Sequence, residues 1–249
     1  MIEVKNLNKT FSDLHVLKDI NANFSPGQVN MIIGSSGSGK TVFLKSLVGL
    51  IIPEKGEILY EGKDFMKMEE YQKKKLCQEI GMLFQASALF DSFNTEENVR
   101  FPLSFFSSKN KKEIKERVDF CLERVGLSNA HHLYPNELSG GMKKRVGIAR
   151  AIALNPKYLF CDEPNSGLDP QTAIVIDNLI KELTVEFNTT TVINTHDMNS
   201  VIEIGDFMVY LHKGQKWWEG SPDDIRTSDN EELNQFVYAS KYMREDFGR

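Results

Sequence analysis

The eight residues GSSGSGKT, Gly34 to Thr41, constrain this chain more than any other stretch. They fit the pattern G-x-x-x-x-G-K-[ST]. The apolar run Val29 to Ile33 precedes them and KTVFLKSLVGL follows. A short continuous apolar run reads as a buried strand, and the segment after the loop reads as a helix. Strand, glycine loop and helix in that order aim consecutive N–H groups and a helix N-terminus at one point, which suits a phosphate. Glycine lets the backbone approach an anion with no Cβ in the way. Gly34, Ser35, Ser36, Gly37, Ser38, Gly39, Lys40 and Thr41 are therefore candidate nucleotide-binding residues. Lys40 is expected to reach the β- and γ-phosphates, and the Thr41 hydroxyl to ligate Mg²⁺.

Around that loop the hydrophobic pattern switches between strand and helix. Ile2 to Val4 and Leu14 to Ile20 read as short strands around a turn, and Gly56 to Phe65 as a strand or hairpin. From about Ala86 to Arg150 the chain reads as mostly helical, with loops near Asn94, Pro102 and Pro135. Tyr158 to Cys161 then reads as a buried strand, Thr172 to Phe187 as an amphipathic helix, and Thr189 to Thr195 as another strand. Met208 to Pro222 reads as a hairpin turning at Gly214. This alternation argues for an α/β fold on a parallel sheet, split by a helical insert. One domain over 1–249 is expected: 1–85 and 157–229 as its core, 86–156 as the helical part, and 230–249 as a tail. In the tail, Leu233, Phe236, Val237 and Tyr238 share one side.

A second group of polar residues follows buried strands. KYLFCDEP (Lys157 to Pro164) places two carboxylates at a strand end. Asp162 is expected to hold Mg²⁺, and Glu163 to orient and polarise an attacking water. Successive side chains on an extended chain point to opposite sides, so the pair can divide these roles. His196, in TVINTHD, is placed to contact a γ-phosphate. Gln85, in GMLFQ, is placed to reach Mg²⁺ and the water, and so to report ligand state to the helical insert.

Composition narrows the function class. A net charge of -5 with no basic tail argues against nucleic acid as the partner. The locally basic run Ser108 to Arg117 reads as a solvated helix face with charges paired at helical spacing. Cys77, Cys121 and Cys161 are far apart and match no metal or disulfide spacing, so reduced thiols are expected. The start, MIEVKNLNKTF, lacks the apolar stretch of a secretory signal. No apolar run approaches the ~20 residues of a membrane span, so work at a membrane needs other, membrane-crossing subunits.

LSGGMKKRVGIARAIAL (Leu138 to Leu154) remains. A serine and two glycines open a helix whose N–H groups suit a second anion. With it, the sequence resembles the ATP-binding-cassette (ABC) ATPases along nearly its whole length. Phe11, GSSGSGKT, Gln85, LSGGM, CDEP, SGLD (Ser166 to Asp169) and His196 stand in that family's order.

The resemblance implies a phosphate-loop NTPase fold: a RecA-like parallel sheet core with an N-terminal antiparallel β subdomain, plus a helical subdomain. It implies ATP and Mg²⁺ as cofactors, Phe11 as the adenine-stacking aromatic, and Glu163, His196 and Gln85 as the catalytic group. Thr41, Gln85 and Asp162 are its metal contacts. It implies that Ser139, Gly140 and Gly141 act in trans on the ATP of a second copy, with Asp169 at the seam of that homodimer. The residue after LSGG is Met142 where the family usually has Gln, which leaves the backbone donors unchanged.

GMLFQASALFDSFNTEENVRFPL together with LSGGM closely resembles the ATPase subunit of Mla-type lipid transporters. That implies phospholipid transport, multi-span permease partners, an MCE-domain lipid-binding protein, and a place on the cytoplasmic face of the inner membrane. The region Phe90 to Leu103 would receive a permease helix, or else its aromatics fill the insert's own core. The alternatives are an ABC transporter for another substrate, or a non-transport ABC ATPase.

Overall fold

The computed structural model describes residues 1–238, which form two compact units: Met1–Glu69 with the chain from Val192 onward, and Glu70–Thr191. In the first unit, β1 (Ile2–Phe11) and β2 (Leu14–Phe24) pair antiparallel, Ile2 opposite Phe24 and Phe11 opposite Leu14. At 10 and 11 residues they are much longer than the short strands expected. Bulges explain the difference. Asn6 and Asp19 have positive φ, and the register shifts between Val4 and Leu7, so simple apolar alternation breaks off while the pairing continues.

β4 (Lys55–Tyr60) pairs with the other edge of β1. It returns through Glu61 and Gly62, both at positive φ, to β5 (Lys63–Asp64), the two-residue turn that matches strand twist. The hairpin expected over Gly56 to Phe65 is therefore present, and the four strands form an antiparallel sheet ordered β2-β1-β4-β5.

β3 (Gln28–Ile33) leads through the glycine loop into α1 (Lys40–Leu47). α1 is shorter than KTVFLKSLVGL suggests. Gly49, at φ +77°, turns the chain where a Cβ would lie 2.5 Å from the Phe65 ring. β9 (Phe207–His212) runs parallel to β3, and β10 (Gln215–Gly220) returns antiparallel after Gly214. α7 (Met198–Ile204), α8 (Pro222–Thr227) and α9 (Glu231–Val237) complete the unit. α9 is the described part of the expected tail. Leu233 and Val237 are buried, and Phe236 lies 5.4 Å from the Tyr210 ring. Residues 239–249 of the tail lie outside the described residues.

The second unit holds α2 (Glu70–Gln78), β6 (Ile80–Leu83), α3 (Thr95–Phe106), α4 (Lys111–Arg124), α5 (Gly140–Ile152), β7 (Tyr158–Asp162) and α6 (Pro170–Glu186). β6 and β7 are parallel, Gly81 beside Leu159. With β8 (Thr190–Thr195), the second sheet has the order β10-β9-β3-β8-β7-β6, and the boundary of the two units falls within β8. The strand order and the interleaved helices are those of the α/β class expected from the sequence.

α2 has no counterpart in the sequence reading, because EYQKKKLCQ buries only Leu76 and shows no apolar stripe. The loop expected at Pro102 is absent, for Pro102 lies inside α3. A proline inside a helix costs about 3 kcal/mol. Here an Asn94–Glu97 capping box, buried Val99 and Leu103, and the Phe101–Phe105 ring pair at 4.9 Å offset it. α4 is the solvated helix expected, with Lys112 and Glu116 paired at 3.9 Å and both exposed.

Candidate functional site

In the first unit the phosphate-loop candidates sit between β3 and α1. Gly34 is at φ +149°, and a Cβ there would lie 2.3 Å from the Leu211 carbonyl oxygen. Only glycine fits. Gly37 and Gly39 also have positive φ, and a Cβ on Gly37 would meet nothing within 4 Å, so the loop is open on that side. Gly39 is the N-cap of α1 and supplies no capping side chain, which leaves the first N–H groups of the helix for a ligand. Lys40 is buried and its ammonium donates to the carbonyls of Gly34 and Ser35 at 2.9 and 3.2 Å. The Ser38 hydroxyl is buried with no hydrogen-bond partner among the described residues. Unclaimed donors beside a buried cation fit a phosphate group.

Ser35 and Ser36 are exposed on the rim of the loop. Thr41 accepts a hydrogen bond from Asn194 at 3.3 Å. Asn194 is fully buried in β8, two residues before the exposed His196. Phe11, at the end of β1, is 44% exposed with the Lys9 ammonium 4.8 Å from its ring centroid, so a face remains for stacking.

The other candidates lie in the second unit. Asp162 ends β7 and is buried, whereas Glu163 follows at φ +48° and is half-buried. The division of roles by strand alternation is therefore corrected: Glu163 is not extended. The two carboxylates differ instead in burial, Asp162 being 3% exposed and Glu163 half-buried. Gln85 is exposed just after β6, with its amide 3.4 Å from the Ser166 hydroxyl.

Ser139 caps α5, its hydroxyl accepting from Met142 N–H at 3.2 Å. Gly140 is exposed and Gly141 buried, where a Cβ would stand 2.5 Å from the Thr172 methyl. Thr172 in turn donates to the Asp169 carboxylate from its hydroxyl at 2.6 Å and its N–H at 3.0 Å. Those bonds hold the Asp169 carboxyl below the usual range. The signature glycines and Asp169 thus meet through one threonine.

Three further residues, Lys144, Arg150 and Asn194, escaped the sequence reading. Lys144 is 4% exposed and donates to the carbonyl oxygens of Gln85 and Glu163. Burial pulls its ammonium below the usual lysine range, against the opposing pull of Cys161, Asp162 and Glu163. Arg150, on the same helix, donates to the carbonyls of Ser87 and Ala88 at 2.7 Å each. In the sequence both belong to a basic stretch indistinguishable from a solvated face, and Asn194 is a polar residue in an apolar strand. Only tertiary contacts single them out.

The three cysteines are free thiols. Burial pushes Cys121 up to about 11 and Cys161 up to about 12, so both are held as protonated thiols. Among the described residues no group of three or more His, Cys, Asp or Glu could hold a metal ion.

From Phe90 to Phe106 the phenylalanines form a continuous series, Phe90 4.6 Å from Phe101 and Phe101 4.9 Å from Phe105. Phe90, Phe105 and Phe106 are exposed, so the series is not simply core. Among the described residues no helix is long and apolar enough to cross a membrane.

Residues 17–166 match the ABC transporter family. The chain is 38% identical over 236 residues to a probable ribonucleotide transport ATP-binding protein (mkl) of Mycobacterium leprae, covering 95% of this chain and 68% of that one. It is 37% identical over 237 residues to the intermembrane phospholipid transport system ATP-binding protein MlaF of Haemophilus influenzae, covering 95% and 90%. Among solved structures, a dimeric ATP-binding cassette in a post-hydrolysis state, bound to ADP and Pi, superposes with a TM-score of 0.82 at 33% identity. That match covers 89% of this chain and 99% of the other. With a glycine cradle around a buried lysine, a capped LSGG helix and these relatives, the chain belongs to the ATP-binding, ATP-hydrolysing cassettes of the ABC transporter family.

Proposed function

We propose that this cassette energises phospholipid transport through a multi-span permease, with Glu163 as the carboxylate that polarises water. One observation carries the two-copy part of the reading. Besides its own phosphate cradle, the chain displays a second helix N-terminus, at α5, whose Ser139 and Gly140 are exposed. In the proposal those donors and Gly141 complete the site of a second copy, and Asp169 lies at the seam between the two. Lys40 and the loop N–H groups bind the β- and γ-phosphates, and Phe11 stacks on the base.

Thr41, Asp162 and Gln85 are the residues that would hold Mg²⁺, which supplies charge neutralisation at the phosphates when bound. His196 contacts the terminal phosphate and keeps the water in line with Glu163. The partly exposed phenylalanines of Phe90 to Phe106 offer a surface for the permease, and through it the cassette is held at the cytoplasmic face of the inner membrane. An MCE-domain lipid-binding protein would be the further partner.

The lipid assignment is supported by the likeness to MlaF at nearly full length. The likeness to a relative named for ribonucleotide transport makes a polar solute the alternative. The mechanism is tested by ATPase rates of the wild type and Glu163→Gln, with size-exclusion chromatography in ATP and Mg²⁺. Weak wild-type activity, an inactive variant and an ATP-stabilised dimer of that variant are expected. Full activity in Glu163→Gln, or a monomer that binds ATP tightly, refutes it. Phospholipid bound to the purified transporter complex supports the substrate, and a lipid-free complex stimulated by a polar solute refutes it.

A further inference from the structure

Lys144 lies on α5, one turn past the signature glycines, and is buried although nothing in its helix pairs with it by sequence spacing. Its ammonium reaches two main-chain carbonyls from distant parts of the second unit, Gln85 after β6 and Glu163 after β7 at 3.2 Å. Neither contact is to a side chain. The two carbonyls belong to the residues on which the proposed hydrolytic step depends. Glu163 moreover holds a left-handed backbone, φ +48°, an uncommon conformation for a non-glycine residue. Hydrogen bonds from a charged donor in a dry setting are the strong kind that can enforce it.

We propose that Lys144 is a positioning residue. It ties the carbonyls of Gln85 and Glu163 to the signature helix and so aims the Glu163 carboxylate. It touches no substrate. This rests on the reading of Glu163 as the water-polarising carboxylate. Lys144 bonds main-chain carbonyls after β6 and β7 and none in the phosphate loop, whose own cation is Lys40. The inference therefore separates catalysis from binding.

The test uses the protein with Lys144→Met, Lys144→Leu and Lys144→Arg, and Glu163→Gln alongside. Each is measured for kcat and KM with ATP, for affinity of a fluorescent ATP analogue, and for thermal unfolding. Lys144→Met should lose at least tenfold in kcat, with KM and analogue affinity within twofold of wild type. Lys144→Arg, which keeps charge and donors, should recover most of the rate. If Lys144→Met does not fold, Lys144→Leu, which also lacks a donor, carries the same comparison.

A neutral variant with wild-type kcat overturns the proposal. So does parallel loss of kcat and analogue affinity, or a folded Lys144→Arg no more active than the neutral variants. Full activity in Glu163→Gln refutes the role of Glu163. An inactive Glu163→Gln beside an unaffected Lys144→Met refutes that of Lys144 alone.

Discussion

Replacing Gly141 by alanine tests how closely the signature helix is seated. A Cβ at Gly141 would lie 2.5 Å from the Thr172 methyl carbon, whereas carbon atoms pack at about 3.5–4.0 Å. The shortfall is roughly 1 Å. Thr172 cannot swing aside cheaply, because its hydroxyl and N–H are both bonded to Asp169. Overpacking of this kind costs about 1–3 kcal/mol, and the locked threonine puts the cost in the upper part of that range. Alanine regains about 1 kcal/mol of helix propensity over glycine. The net loss is about 1–2 kcal/mol, or a fall in Tm of roughly 3–6 °C for a chain of this size.

Thr172→Ser removes the offending methyl and keeps both bonds to Asp169. The double variant Gly141→Ala, Thr172→Ser should therefore recover most of the loss, with a coupling of about 2 kcal/mol in urea titrations. The assay reads stability and is independent of nucleotide. Losses that add within about 0.5 kcal/mol would show that the two side chains do not meet, and the seating argument would fail.

The remaining expectations are simpler. Asn98 is fully buried and bonds the N–H and C=O of Phe90 and the carbonyls of Phe93 and Asn94, so Asn98→Ala should cost about 2–3 kcal/mol in urea titration. Asp169→Ala removes the cap of α6 and should lower stability by about 1 kcal/mol, seen as a Tm lower by roughly 2–4 °C. At pH 8 a thiol reagent should label Cys77 in the native protein and all three cysteines in denaturant, since Cys121 and Cys161 are buried with raised pKa values. Native labelling of Cys161 would contradict its burial.

Much of the fold is legible in the sequence where local chemistry and tertiary context agree. Val29 to Ile33 is buried on both faces because β3 is interior, its one polar side chain, Asn30, being bonded to main-chain groups of Ser25 and Gln28, and the glycines after it are where the backbone needs positive φ. The hairpin at Gly214 announces itself in the same way. Sequence fails where long-range contacts override a local signal. Pro102 reads as a break, yet the packing of α3 carries it; Asn6 and Asp19 hide the true length of β1 and β2.

The candidate site divides similarly. Motif residues stand out because their spacing is itself the signal. The left-handed turn at Glu163, the buried cation at 144 and the Asn194–Thr41 contact leave no trace in spacing, because each depends on segments far apart in the chain.

Arg150, Lys144, Asn98 and Arg117 share a habit: they grip carbonyl oxygens, those of Ser87, Ala88, Gln85, Phe90, Phe93, Ile152 and Ala153. A loop held by its main chain keeps its shape whatever side chains it displays. Exposed positions between Ala86 and Phe93 can thus change with the main chain held in place, whereas buried Ser87 is fixed by packing. Point changes among the exposed side chains there would alter the chemistry of that surface and leave its main-chain scaffold in place.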